Sequence, residues 1–478
     1  VNATETSFVT AAPVASLSHH SLLVFLLQVT VLLCLALGLG RLALRLGLPS
    51  VVGELLAGVL VGPSLLGAVA SDFSGWLLPA DPDQMHLLDA LGQIGVILLV
   101  GLTGVEMDMR MVRRRGATAA RISIAGLVLP VGLGIGAGLL LPESLLADGA
   151  DRGEFALFLG VSMGVSAIPV AAKILHDMRL LHRNVGQLIL AAATVDDVVG
   201  WSLLSVVSAM ATTGVRGGDI AWPVLSVIGV VTAAFVVGRP LARLAVAVGG
   251  LGRPSADSAG AADPAGAGGT GSSGIAVVVV FVLAAAAGTH ALKLEAILGA
   301  FVAGILLGST PTLDISRLEP LRLMVMGVLA PIFFASAGLR VDLTALTRPE
   351  VALAAVVILG LAILGKFVGA YIGARASRLG HWEALSLGAG LNARGVIEIV
   401  VAGTGLRLGV LSTATYTVIV LVAVVTSIMT PPILRATMRR VEQTAQERLR
   451  ELDLAGRSRG APRGIDAERP REPNAPAG

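Results

Sequence analysis

Charge is scarce in this sequence: Asp, Glu, Lys and Arg make up only 14% of its 478 residues, where a soluble protein of this size carries roughly a quarter. With 55% hydrophobic residues and a mean hydropathy of +0.84, the missing charge means that much of the surface faces lipid. The net charge of +3 says nothing about nucleic acid, and no Lys/Arg run is interleaved with aromatics, which sets nucleic-acid binding aside. Cysteine is nearly absent. The single Cys34 lies in an apolar run, cannot form an internal disulfide, and reads as a small lipid- or core-facing residue. No CxxC or HExxH spacing occurs and the seven His are scattered, so no transition-metal site is expected. No nucleophile–base set is present either, so the chain reads as neither an enzyme nor a holder of an organic cofactor. Lysine is rare: Lys173, Lys293 and Lys366 are three of 35 basic residues. That bias, with abundant Ala, Gly, Leu and Val, points to a GC-rich bacterial gene. Residues 1–20 have no Lys or Arg, so the basic n-region of a signal peptide is missing.

What is abundant is long apolar sequence. Thirteen runs meet the spanning criterion, near 21–44, 50–67, 87–108, 118–141, 155–175, 184–212, 221–246, 275–291, 294–308, 319–340, 350–376, 382–406 and 413–436. The predicted architecture is an all-α polytopic membrane protein. Basic residues test the count. Arg41/Arg45, Arg110/Arg113/Arg114/Arg115, Lys173/Arg179/Arg183, Arg239/Arg243/Arg253, Arg317/Arg322 and Arg375/Arg378 fall in every second loop. The loops between carry few: Arg152, Arg216, Lys293, Arg340/Arg348 and Arg407. The alternation predicts a plasma-membrane protein with its N-terminus outside and its C-terminus cytoplasmic.

The predicted organisation is an extracellular tail (1–20), a first transmembrane half (21–248), a Gly/Ala/Ser-rich flexible cytoplasmic linker (249–274), a second half (275–438) and a cytoplasmic, largely disordered tail (439–478). The halves are related. AGVLVGP at 57–63 resembles AGILLGS at 303–309, and GVEMD at 104–108 resembles GLRVD at 338–342. The matching spans are seven apart, and an odd shift inverts the second copy in the membrane. Inverted repeats are a transporter signature, because two pseudo-symmetric halves supply inward-open and outward-open states.

Asp196 and Asp197 stand about 12 residues into the sixth span, about 18 Å deep at the helical rise and near the bilayer midplane. A charge at a helix centre costs about 2.5–3.5 kcal/mol on insertion scales, so an adjacent pair demands a role. The two side chains diverge by about 100°: one can face a neighbouring helix and the other a water-filled cavity. Lys366, mid-way along the eleventh span, is the expected partner, because Lys can lose a proton when buried and Arg effectively cannot. Two spans carry helix breakers at mid-depth: the fifth, with Ser166 and Pro169, and the twelfth, with Asn392, Arg394, Gly395 and Glu398. Polar, Gly-rich sequence there is tolerated where it lines a cavity or is buried in protein. The two spans are seven apart, which predicts discontinuous helices crossing in a core domain; Arg394 and Glu398 also suit a purely structural i,i+4 pair. Glu54 and Glu295 begin the second and ninth spans and read either as guards of an ion entrance or as solvated helix-start carboxylates. His176 and His182, beside Asp177, read as ordinary loop residues or as pH sensors.

LPSVVGELLAGVLVGPSLLG (48–67), GVILLVGLTGVEMD (95–108), SAIPVAAKIL (166–175), VDDVVGW (195–201), PIFFASAGLRVD (331–342) and NARGVIEIVV (392–401) together resemble the monovalent cation:proton antiporter-2 family, which includes NapA-type, Kef-type and plant CHX-type proteins. The resemblance covers about 25 to 435 and implies a thirteen-span fold with a scaffold domain, a mobile core domain and a homodimer. It implies that Asp197 is the ion- and proton-binding carboxylate, taking Na⁺ or K⁺ as its metal, and that Asp196 pairs with Lys366. Members with two acidic residues here resemble the electrogenic type. Unlike in Kef proteins, the stretch after about residue 441 is too short for a nucleotide-binding domain, so none is expected there. The expected activity is exchange of Na⁺ or K⁺ for H⁺ by alternating access. The alternatives are a cation channel or membrane sensor, or a sodium-coupled organic anion symporter.

Overall fold

The computed structural model describes residues 18–79, 82–107, 109–213, 232–252 and 267–448, with single positions between 225 and 229. The start of the expected seventh span, residues 253–266 of the expected linker, the end of the tail and the first 17 residues lie outside them. No strand occurs among the described residues. The helices are α1 His19–Arg45, α2 Ser50–Val61, α3 Pro82–Glu106, α4 Met109–Leu140, α5 Arg152–Gly164, α6 Ile168–Asp177, α7 Asn184–Thr213 and α8 Arg239–Val248. They continue as α9 Ala267–Ala291, α10 Ala296–Gly308, α11 Ile315–Leu339, α12 Pro349–Ala376, α13 His381–Leu391, α14 Val396–Arg407 and α15 Thr413–Met438. Among the described residues, nine helices are long and apolar enough to cross a membrane, and α13 with α14 forms a further span bent by 44°. A second interruption separates α5 from α6 at residues 165–167. α9 begins at Ala267, eight residues inside the segment read as linker, because its Gly/Ser-rich opening continues into an apolar run without a breaker.

Helix starts follow local chemistry. The Ser18 hydroxyl accepts from the Ser21 amide, Asp151 accepts from Gly153 and Glu154, and Ser412 accepts from Thr415. Each satisfies amides that have no intrahelical partner. α9 and α10 are divided by a tight turn in which Lys293 adopts φ 60°.

The repeated sequence blocks are where the two halves touch. A Cβ on Gly58 would overlap the Ala335 carbonyl, and one on Gly338 would overlap that of Leu55, so α2 and α11 meet backbone to backbone. Gly304 and Gly104 weld α10 to α3 in the same way, against the Gly101 and Phe301 carbonyls. Each small-residue block thus packs on the other half's copy of the second block, the close approach that drives helix association in lipid. Ion pairs join α3 to α11 at both ends: Asp89 with Arg340, and Glu106 with Arg322 at 3.1 Å. These helices, with α1 and α9, form one body. A second is built on α4, which packs against α5, α7 and α12; Gly369 and Gly373 of α12 meet the Ala125 and Arg121 carbonyls directly.

After α15 the chain folds back onto the second body. Arg183 donates to the Val441 and Glu442 carbonyls, and Glu447 Oε1 accepts from the Asn184 amide at 2.6 Å. Arg440 lies over the Trp382 ring at 4.2 Å. Burial pushes the Glu447 carboxyl up, but the Asn184 and Thr444 amides and Arg183 outweigh it and hold it below its usual 4.5.

Two predictions follow from these contacts. Gly304→Ala should cost about 1–3 kcal/mol through overpacking, seen as earlier thermal unfolding in detergent. Gly360→Ala, where a Cβ meets nothing within 4 Å, should leave the transition unchanged. Because its folded value is depressed, Glu447 stabilises the docked segment above pH 4.5 and releases it as pH falls through the lower folded value. Hydrogen exchange of residues 442–448 should therefore speed up on acidification, and Glu447→Gln should show the fast rate already at pH 7.

Candidate ion-binding site

The two interrupted spans cross in the second body, and their loose ends are the starting point of the site. Each interruption leaves helix-end carbonyls and amides with no intrahelical partner, deep in an apolar surround where water cannot serve them. At the crossing, the Ala167 amide donates to the Ala393 carbonyl at 3.2 Å. The C-terminal carbonyls of α5 are met by cations: Arg394 donates to Ser162 at 2.9 Å and to Met163 at 2.5 Å, and Lys366 Nζ donates to Gly164 at 2.6 Å. The negative end of the half-helix dipole faces two positive charges. At the start of α14, the Gly395 amide donates to Glu398 Oε2 at 2.8 Å, a carboxylate on the positive end of its own helix. Glu398 also lies 3.7 Å from Arg394. The i,i+4 pair foreseen in the sequence is present, and Arg394 has the further task of closing α5.

Asp196 and Asp197 project from the middle of α7 and diverge as expected. Asp196 is held on every side: Oδ1 accepts from Ser123, and Oδ2 accepts from Ser166 at 2.8 Å and from Lys366 at 2.6 Å. Ser166 Oγ is also 2.7 Å from the Leu391 carbonyl, so it ties α7 to the end of α13. Asp197 faces the start of α6, where the Ile168 amide meets its carboxylate. Its Oδ1 has no hydrogen-bond partner although the residue is only 1% exposed. Asn392 Oδ1, at the C-terminal end of α13, is another buried acceptor without one. Asp196, Asp197 and Glu398 oppose Lys366 and Arg394, and all five are buried. With Asp196 paired to Lys366 and Glu398 to Arg394, the leftover negative charge is that of Asp197. An uncompensated carboxylate in such a place needs a proton or a cation.

Ser123 of α4 and the carbonyls of Ser162, Met163, Gly164 and Leu391 belong to the site and were not foreseen. Ser123 is a polar residue in an apolar span, which is a readable signal; the carbonyls carry none. Pro169 stands in the first turn of α6, where its missing N–H costs nothing. Glu54 departs from the reading of a solvated carboxylate. It is not solvated at a helix start but 8% exposed, packed against Gly40 of α1, and it lines neither cavity described next.

A cavity of about 210 Å³ lies between the bodies at the Glu106 end, lined by Thr103, Glu106, Ile168, Ala172, Thr194 and Arg322. It reaches Ile168, whose amide meets Asp197. At the opposite end, a wider vestibule of about 660 Å³ is lined by Gln93, Ser208, His290, Lys293, Glu295 and Arg407.

A family model for transmembrane sodium/hydrogen exchangers matches residues 29–440. The chain belongs to the sodium/hydrogen exchanger family. As a member it is 31% identical over 416 residues to the Na⁺/H⁺ antiporter NhaS4 of Synechocystis sp., covering 87% of this chain and 97% of that protein. It is 30% identical over 418 residues to the cation/H⁺ antiporter 17 of Arabidopsis thaliana, covering 87% of this chain and 49% of the plant protein. The chain spans about half the length of the plant relatives it matches. Its fold is that of the sodium proton antiporter MjNhaP1 of Methanocaldococcus jannaschii, with a TM-score of 0.58 at 16% identity over 91% of this chain and all of that one.

Because Arg394 serves both the α5 carbonyls and Glu398, Arg394→Met should strand all of them and destabilise this family member by about 3–5 kcal/mol. Arg394→Lys, with one point charge in place of a planar fork, should recover only part of that loss. Both are read from unfolding in detergent.

Proposed function

We propose that this protein exchanges a monovalent cation, Na⁺ or K⁺, for protons across the plasma membrane, with the two competing for Asp197. The observation that carries this reading is the unpartnered Oδ1 of a fully buried carboxylate beside an already neutralised Asp196–Lys366 pair. A bare carboxylate in that setting is costly, so the site holds either a proton or a cation and is not left empty. A cation arriving at Asp197 displaces its proton, and neutralisation lets the second body shift against the first. The same shift with the site empty would drag an unpaired charge through the low-dielectric interior, which couples the two fluxes. Lys366 is a second titratable partner beside the same carboxylates. Release of its proton as the cation arrives would make the exchange electrogenic.

The basic residues support an orientation. Arg41, Arg45, Arg179, Arg183, Arg317, Arg322, Arg375 and Arg378 lie at the Glu106 end of the helices, which we assign to the cytoplasm. In this conformation the cavity next to Asp197 opens at that end. The N-terminus is then outside and residues 439–448 inside. The family resemblance supports a homodimer in the bilayer.

Asp197→Asn is expected to abolish exchange in everted vesicles, read as dequenching of a pH-sensitive dye after addition of Na⁺, K⁺ or Li⁺ in turn. Lys366→Ala should weaken exchange or change its voltage dependence. Full activity of Asp197→Asn in proteoliposomes would overturn the site assignment.

A further inference from the structure

Glu295 occupies the N-cap of α10, yet its side chain makes no capping bond to its own helix. Instead it reaches out of the first body and accepts a 2.6 Å hydrogen bond from Ser208 of α7, the helix that carries the aspartates. A second bond crosses at the same end: the buried Tyr416 hydroxyl of α15 donates to the Ala337 carbonyl of α11 at 2.7 Å. Ser208 and Glu295 line the vestibule that holds Lys293, His290 and Arg407, at the end opposite the 210 Å³ cavity, and Tyr416 and Ala337 line a neighbouring cavity that shares Gln93 and Arg407 with it. The glycine welds join helices within each body. Between the bodies, apolar contacts such as Trp201 on Phe301 are undirected and can slide, whereas directed hydrogen bonds must break if one body is to move past the other.

We propose that the Ser208–Glu295 and Tyr416–Ala337 hydrogen bonds form a latch that closes the Glu295 end, with Ser208, Glu295 and Tyr416 acting as positioning residues for the alternation and not as ligands of the transported ion. The proposal rests on the alternating-access reading and revises the role of Glu295: it clasps the two bodies and does not guard an entrance. A bond to a carboxylate is the stronger partner. Removal of both hydroxyls should shift the closed-to-open ratio at this end by about tenfold.

The test uses two near-isosteric deletions, Ser208→Ala and Tyr416→Phe, singly and together, in the full-length chain with Cys34→Ala. Spin labels at Leu140→Cys in the second body and Leu292→Cys in the first, both exposed, report the distance across the Glu295 end. The double variant should populate longer distances, Ser208→Thr should restore the short one, and the apparent KM for cation offered at the Glu295 end should fall. Unchanged distances in the double variant would overturn the latch, whatever the transport rate. Lengthened distances in a protein that moves no cation against a pH gradient would uphold the latch and sink the exchange reading instead.

Discussion

Breaking a helix inside a membrane strands backbone donors and acceptors where there is no water to meet them, and the rest of this fold is arranged around that constraint. The α5 carbonyls are met by Lys366 and Arg394, the first amide of α6 by Asp197, the end of α13 by Ser166 and the start of α14 by Glu398. Side chains that would be prohibitive singly in an apolar core become the closure of four helix ends. The charges balance except at Asp197. The same arrangement that lets two spans be interrupted therefore leaves a single place where a mobile positive charge is wanted.

Around this centre the two bodies are assembled by different means. Within each, glycines let helix backbones touch, as Gly304 does on α3 and Gly369 on α4. Packing of that kind is stiff, because neither partner has a side chain that can rearrange. Between the bodies lie cavities and hydroxyl-mediated bonds such as Ser208 to Glu295. The seam also has apolar contacts, such as Trp201 of α7 on Phe301 of α10, which are undirected and can slide where a hydrogen bond must break.

Much of this was legible in the linear chain, and the reason differs from residue to residue. Asp196, Asp197 and Lys366 stand out because ionisable groups in apolar runs are costly, so their presence alone is informative. The breaks at Pro169 and Gly395 are visible because Pro and Gly punctuate helices. The repeats announced themselves through AGVLVGP and AGILLGS, and the structure adds why those blocks recur: Gly58 packs on Gly338 as Gly304 packs on Gly104. Glu54 and Glu295 looked alike as acids at the starts of spans. Their neighbours, Gly40 in one case and Ser208 in the other, lie on helices that no local pattern connects to them.

The sequence by itself determined that the chain spans the membrane many times, that its halves are related, and that a paired carboxylate sits at mid-depth, because hydrophobic run length, sequence repetition and the cost of buried charge are local properties. Only the tertiary structure shows which of the two aspartates is left without an opposite charge beside it. That depends on where Lys366, Ser123 and Ser166, each on a different helix, converge. It also decided that Arg394 closes a helix more than 200 residues away in the chain and that Glu295 reaches across to the second body. Such pairings are set by helix packing, which leaves no local trace in the order of the residues.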